Sequence, residues 1–388
     1  MQYLGYDETW LQEKGGLFTA REIAGQPDLW QATYALVEEQ IIPLSEFLGS
    51  ALADTTRIVL TGAGTSGYIG FSLYTVFRRC LGKHVLVIPT TELVTHPSHY
   101  FFSDDRLLLV SFARSGNSPE SLAAVELAEK FSGYVRHLVI TCDPQGNLAR
   151  YSSSFPKYNL ILPPASNDQS LAMTGSYTSM LLAGYLIARY KVFAQLSGLV
   201  QQVSAYGKNL LQTYPVLIHQ LAEREFGRVV FLGSGPLLGT AMESHLKVQE
   251  LTDGQVVCKF DSFLGFRHGP KAVIDENTLV VFILSNQDYV HQYERDLIHS
   301  MDKGKPPLAT VAVSENTFSG LSFDLHIRMN DVFTTPLPEE LLPVVAVVPA
   351  QMLGFYKSLN LGLSPDNPSV NGAISRVVEN VTIYPCNP

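Results

Sequence analysis

The octapeptide RIVLTGAG at residues 57–64 returns 171 residues later as RVVFLGSG at residues 228–235. Each copy joins a short apolar run to a pair of glycines, the pattern of a buried strand that turns at once into a helix. At the same offset Val85 falls on Val256, Leu108 on Leu279 within LVVFILS, and Leu138 on Ala309 within LATVAVS. A repeat of this length constrains the fold more than any local preference, because each copy must close a core of the same kind. Chance register between valine-rich strands is the competing account; the matched arginine and the paired glycines weigh against it.

Within the first copy, strand-like runs recur at IVL (58–60), VLVI (85–88), LLLV (107–110), HLVIT (137–141) and NLIL (159–162), separated by segments long enough for helices. Continuous apolar runs alternating with helical stretches indicate buried parallel strands in an α/β fold. One intervening helix is SPESLAAVELAEKF (118–131). Ser118 suits its N-cap, Pro119 its first turn, and Leu122, Val125 and Ala128 share a face. A chain of 388 residues is too long for one ordinary core. We expect an N-terminal helical segment over 1–50, a first domain over 51–205 and a second over 206–388. In the N-terminal segment Thr19 and Glu22 stand at capping-box distance, and its helices are expected to pack on the first domain.

Charge narrows the function classes. With 27 Lys and Arg against 36 Asp and Glu the net charge is −9, which argues against a broad nucleic-acid surface and leaves room for a small anion pocket. The cysteines Cys80, Cys142, Cys258 and Cys386 have neither metal-ligand spacing nor a disulfide framework. The N-terminus shows no apolar signal-peptide core, and apolar runs such as Leu341 to Ala350 are short and broken by proline. The expectation is a cytoplasmic protein without membrane or nucleic-acid partners.

The first glycine loop, Gly62-Ala63-Gly64-Thr65-Ser66-Gly67, fits G-x-G-x-x-G and would offer backbone N–H groups and a helix N-terminus to an anion. A dinucleotide site also needs an acid near the end of the second strand. Here HVLVIP is followed by Thr90 and Thr91, and Glu92 comes late for the role. What the loop does carry is Thr65 and Ser66, adjacent hydroxyls able to donate to a terminal phosphate monoester. A Ser66 that only caps the next helix is the plainer alternative. A second such loop follows the third strand: Ser111, then Arg114, Ser115, Gly116, Asn117 and Ser118. Strand ends of a parallel sheet open onto one edge, so Gly64, Thr65, Ser66, Arg114, Ser115, Asn117 and Ser118 form one candidate phosphate site.

The second copy replaces those hydroxyls with GSGPLLG. It gains AMESHLKVQELTDG (241–254), where Glu243, Lys247 and Glu250 lie at i, i+4 and i+7 on one helical face. By itself this is the pattern of a solvated, salt-bridged stripe. Eighteen residues after Glu250, the segment FLGFRHGPKAVID sets His268 in a loop between Arg267 and a Gly-Pro turn, where a histidine serves either structure or catalysis.

Taken together, GAGTS, SFARSGNSPES, ESHLKVQE and RHGPK resemble the sugar isomerase (SIS) family, and the resemblance covers nearly everything after residue 50. PTTELVTHPSHYF, SFARSGNSPES, GFRHGPK and the tail SRVVENVTIYP are similar to its AgaS type, the galactosamine-6-phosphate deaminase/isomerases. The resemblance implies two tandem SIS domains, each a flavodoxin-like five-stranded parallel sheet flanked by helices. It implies a sugar phosphate as ligand, no metal or organic cofactor, and a homodimer or higher homo-oligomer with shared active sites. It also assigns roles: Glu250 shuttles a proton between C1 and C2, His268 opens the sugar ring, and Lys247 lies near the reacting oxygens.

The implied activity is deaminating isomerisation, D-galactosamine 6-phosphate and water giving D-tagatose 6-phosphate and ammonia. A tagatose-6-phosphate aldose/ketose isomerase, a non-catalytic phosphosugar sensor and a nicotinamide-dependent enzyme are the other readings. Two departures matter. Ala113 stands where the related glucosamine-6-phosphate synthases carry serine, with Arg114 beside it as a compensating group. Those enzymes also form an imine through a lysine near the C-terminus, whereas here the last lysine is Lys357 and the tail offers only Arg376. The tandem unit begins within the first 60 residues of this sequence, so glutamine-fed amination is not expected. Glu92, Thr174 and Lys271 are further pocket candidates.

Overall fold

The computed structural model describes every residue except Asp302, Ser319, Glu379, Asn380 and Pro388. Glu379 and Asn380 belong to the tail motif, so that part of it lies outside the described residues. A short antiparallel hairpin, β1 (Gln2–Tyr3) with β2 (Tyr6–Asp7), precedes two five-stranded parallel sheets. The first contains β3 (Arg57–Thr61), β4 (His84–Val87), β5 (Arg106–Ala113), β6 (Tyr134–Thr141) and β7 (Lys157–Ile161), in the order β4-β3-β5-β6-β7. The second contains β8 (Arg228–Leu232), β9 (Val257–Asp261), β10 (Thr278–Ile283), β11 (Ala309–Ser314) and β12 (Leu325–Arg328), in the order β9-β8-β10-β11-β12. Both orders are the 2-1-3-4-5 of a flavodoxin-like sheet. The duplicated α/β architecture forms as expected.

The register shows where a single offset fails. Ile58 pairs with Val85 and Val229 with Cys258, so the counterpart of Val85 is Cys258, at an offset of 173 residues. Val110 pairs with Leu138 and Val281 with Val311, which again gives 173. The first and third strands of each copy keep 171. Side chains alternate with period two along a strand, so a slip of two residues leaves each one on its own face and the hydrophobic pattern cannot reveal it.

The matched arginines hold the opposite edge of each sheet from the glycine loops. Arg57 donates from Nε to Asp105 Oδ1 at 2.9 Å and closes a bidentate pair with the same carboxylate just before β5. Arg228 reaches Asp275 Oδ2 at 3.1 Å ahead of β10. Each pair ties the start of one strand to the approach of its neighbour, a structural duty.

The chain forms two compact units. One holds the first sheet and comprises Leu29–Asn167, Gly175–Val200 and Ile374–Pro388. The other holds the second sheet and comprises Met1–Asp28, Asp168–Thr174 and Gln201–Ala373. In the first unit Val59, Leu107, Leu109 and Val139 pack on Ala124, Val125 and Ala128 of the helix Pro119–Phe131. In the second, Val230, Val280, Phe282 and Ala312 pack on Phe263, Phe266 and Leu297.

The N-terminal segment does not go wholly with the first sheet. Its helix Leu17–Glu39 receives its cap from the other end of the chain: Asp366 accepts from the N–H groups of Phe18 and Thr19 at 3.1 and 2.7 Å, and from the Thr19 hydroxyl at 2.8 Å. Thr19 is therefore capped rather than capping. Glu22 turns to the N–H groups of Gln169 and Ser170 instead of closing a capping box. Beyond Asp28 the same helix belongs with the first sheet, where the Trp30 indole donates to Thr178 Oγ1 at 2.9 Å. The stretch Glu339–Asn360 is long and apolar enough to cross a membrane by composition, and its residues 341–358 are buried in the fold.

Burial also reaches ionisable groups. Glu294, on the helix Asp288–Met301, is fully buried. Burial above all, with Glu339 nearby, pushes its carboxyl up to about 8, although the Ser285 N–H bond at 3.0 Å pulls the other way. The folded chain thus holds a proton there that the unfolded chain, with an ordinary glutamate, releases. Stability falls as pH rises from the ordinary glutamate range to about 8. Glu294→Gln is expected to remove that slope, which reaches about 1.4 kcal/mol per pH unit. Thermal melts across this range should show the variant gaining on the native chain as pH rises.

Candidate active site

The two glycine loops are one backbone turn used twice. Gly64 enters the helix Thr65–Leu81 at φ 53°, ψ −127°, and Gly235 enters Pro236–Leu251 at φ 57°, ψ −131°. A Cβ on Gly62 would lie 2.6 Å from the Ser66 carbonyl oxygen, and one on Gly233 would lie 2.3 Å from that of Leu237. The glycines answer to strand-to-helix geometry, whatever follows them. The copies differ chemically at Ala63 against Ser234, whose hydroxyl accepts from the Phe263 N–H at 3.3 Å, and at the pair Thr65 and Ser66 against Pro236 and Leu237.

Ser66 is not a cap. Gly64 occupies the N-cap and Ser66 is the second helical residue, its N–H bonded to the Ala63 carbonyl at 3.1 Å. Thr65 and Ser66 are both buried at the start of the helix. β4 is followed by the helix Thr90–Thr95, and the Thr90 N–H donates to the Gly62 carbonyl at 3.0 Å. Glu92 faces solvent on the first turn of that helix. The strand end thus lacks the ribose-binding acid of a dinucleotide site.

Thr61 and Ser111 are paired across β3 and β5, so the two candidate loops start side by side. Ser111 lies within β5, which runs on to Ala113. Arg114 is buried; its carbonyl accepts from the Cys142 N–H and the Thr141 hydroxyl, and its guanidinium donates to the carbonyl of Arg376. Ser115 Oγ accepts from the Asn117 N–H at 3.3 Å, and Asn117 Oδ1 accepts from the Asn147 N–H at 3.0 Å. Ser118 holds the N-cap position of Pro119–Phe131, but no cap bond forms. Its hydroxyl pairs with that of Ser121 at 2.6 Å, which takes the place of the expected backbone bond.

On the helix Pro236–Leu251, Glu243, Lys247 and Glu250 do share a face, but it is not a solvated stripe. Glu243 and Lys247 are fully buried, and Glu250 keeps 22% of its side chain exposed. Lys247 Nζ lies 2.6 Å from Glu250 Oε2 and 3.4 Å from Glu243 Oε1. Burial works against the Lys247 charge, yet the two carboxylates outweigh it and hold the ammonium above the usual lysine range. A carboxylate open to one side, with a fixed buried cation behind it, can exchange a proton with a carbon acid while nearby negative charge is stabilised.

His268 lies in an exposed turn before Gly269, with its N–H on the Gly265 carbonyl at 3.0 Å. No hydrogen bond or ion pair joins it to Glu250 or Lys247 among the described residues. The other candidates have structural partners. Lys271 Nζ donates to the Ser300 carbonyl at 3.2 Å, and the Thr174 N–H donates to Asp168 at 2.8 Å. Lys357 donates to the carbonyls of Ala222 and Arg224 at the end of the helix Pro215–Glu223, so it is a helix-end cation.

Sequence reasoning passed over His245, two residues before Lys247. Its Nδ1 meets the Met242 carbonyl, its ring rests 4.8 Å from that of Phe260, and burial lowers its pKa. It read Glu22 only as a capping-box residue, whereas burial and Asp168 push its carboxyl up. The partners of Glu22, Asp168 and Ser170, are distant in sequence, and the burial of His245 comes from packing, so neither shows in the local pattern.

Residues 51–189 and 221–357 match the SIS domain family. The chain is 40% identical to the D-galactosamine-6-phosphate deaminase AgaS of Shewanella sp. (strain ANA-3), over 97% of this chain and 94% of that one. A solved protein from Clostridium novyi shares 37% identity and superposes with a TM-score of 0.96 over the whole of both chains. The tagatose-6-phosphate ketose/aldose isomerase of Escherichia coli shares 33% identity with a TM-score of 0.87, covering 95% of this chain and 97% of the other. A doubled SIS domain with these loops, this buried acid–lysine face and this degree of identity leaves one conclusion: the chain belongs to the SIS domain family and, within it, to the AgaS family.

Proposed function

We propose that the chain converts D-galactosamine 6-phosphate and water into D-tagatose 6-phosphate and ammonia, the net hydrolysis of a carbon–nitrogen bond. The observation that carries this reading is the buried Glu243–Lys247–Glu250 face, in a chain 40% identical to an AgaS deaminase. Thr65, Ser66 and the Arg114–Ser118 loop hold the phosphate monoester. His268 passes a proton between the ring oxygen and the C1 hydroxyl, which opens the hemiacetal. Glu250 then removes the C2 proton, made acidic by the C1 aldehyde, and returns it to C1. Lys247 offsets the enediolate-like charge between those two steps. The product is a ketimine at C2; water adds and ammonia leaves, so the ketose phosphate is formed without an oxidant. The site is completed in a homodimer or larger homo-oligomer, where His268 can serve a neighbouring chain.

Coupled detection of ammonia with galactosamine 6-phosphate tests the proposal, and release with turnover is the expected result. Aldose–ketose interconversion without ammonia would instead favour the plain isomerase, the activity in the name of the solved E. coli relative. Absence of turnover on any phosphosugar would favour a sensor. For the phosphate loop, Ser66→Ala is expected to raise KM about tenfold with little change in kcat, since a lost hydrogen bond to a charged group is worth roughly 1.5 kcal/mol. Initial rates on phosphorylated substrate check it.

A further inference from the structure

The second sheet carries a cavity that the proposed chemistry does not use. Its volume is about 340 Å³, and it opens at the carboxyl ends of β10 and β11, the edge where open α/β sheets bind ligands. Ser285, Asn286 and Asp288 line it from the β10 side, and Ser314, Asn316 and Thr317 from the β11 side. At the offset of 171 that the third strands obey, Ser285 and Asn286 stand where the first copy has Arg114 and Ser115, whereas the next helix starts at Asp288 as that of the first copy starts at Pro119. The cavity is therefore built on the second copy's version of the candidate phosphate loop.

Two exchanges decide what it can hold. The loop arginine has become serine, and the helix that follows opens on the Asp288 carboxylate where the first copy has Pro119. Arg295 and His291 also line the cavity, and both are engaged with Phe318: the guanidinium lies 5.4 Å from the ring centroid, and the imidazole meets the ring edge-on at 4.5 Å. One carboxylate, one guanidinium, one imidazole and five hydroxyl or amide side chains give no net preference for an anion. They do present interleaved donors and acceptors, which vicinal hydroxyl groups satisfy. The lining is fixed from below. The Ser285 N–H and hydroxyl donate to Glu294 and Glu339, while the Asn286 amide donates to Glu315 at 2.7 Å and to the Leu337 carbonyl at 2.8 Å.

We propose that this cavity binds a neutral polyhydroxylated molecule of about hexose size, separately from the phosphosugar. Galactitol is the probe, because it has neither a phosphate nor a reactive carbonyl. Calorimetry and saturation-transfer NMR on the full chain, with glucitol 6-phosphate present in excess, should show millimolar binding of galactitol. Asn316→Ala and Arg295→Gln should each weaken it about tenfold, the size of one lost polar contact. Both should melt like the native chain and retain its turnover. Three results would each overturn the proposal: no galactitol binding, displacement by glucitol 6-phosphate, or equal binding by the native chain and both variants. Binding of inorganic phosphate in its place, lost in Arg295→Gln, would make the cavity an anion site and also reject it. If glucitol 6-phosphate binds nowhere, the phosphate-loop assignment fails while the galactitol measurement still reads this cavity.

Discussion

Glutamine in place of Glu250 is expected to reduce ammonia release from galactosamine 6-phosphate by about three to four orders of magnitude, the upper part of what a positioned general base contributes. The amide keeps the size of the side chain and can stay near Lys247, 2.6 Å away in the native chain, but it cannot accept the C2 proton. On the proposed assignment the phosphate contacts come from other loops, so the affinity for a substrate analogue such as glucitol 6-phosphate should change little. The expected pattern is a collapse of kcat with binding retained. Calorimetry beside the coupled assay separates the two. Unchanged turnover would remove Glu250 from the mechanism, and loss of binding together with turnover would make it a positioning residue.

Lys247→Met is expected to destabilise the chain by about 3–5 kcal/mol, the usual consequence of removing one partner from a buried ion pair. Methionine fills most of the space, so the cost is electrostatic: Glu243, fully buried, loses the ammonium 3.4 Å away. Adding Glu243→Gln to the variant should recover a large part of the loss, since no buried carboxylate is then left without its cation. Denaturant unfolding of the native chain, both single variants and the double variant measures this coupling. Activity should not return with stability, because the cation beside Glu250 is still missing. Equal stability of Lys247→Met and the native chain would show that the triad carries little of the fold's energy.

The legible part of this protein is the part written in neighbouring residues. The apolar runs located all five strands of the first sheet: β3, β5 and β6 are buried along nearly their whole length, and the edge strands β4 and β7 keep shorter apolar runs. The glycine pairs located the two tight turns, because a Cβ at Gly62 or Gly233 would strike the next helix. The spacing of Glu243, Lys247 and Glu250 located a shared helical face, which follows from helix geometry alone. Burial was not legible there: a solvated stripe and a buried ion triad have the same spacing, and only packing separates them. The caps failed for a related reason. Thr19 and Ser118 have suitable side chains, but Asp366 and Ser121 supply the competing partners.

The amino-acid sequence by itself determined the duplication, the parallel strands and the residue types available for chemistry, since these depend on periodicity and side-chain identity. Only the tertiary structure decided the two-residue displacement of the second and fourth strands, the division of the N-terminal helix between the two units, and the burial of Lys247 between two carboxylates. Each of those depends on which surfaces meet after folding, and contacts between residues far apart in the chain leave no trace in local pattern.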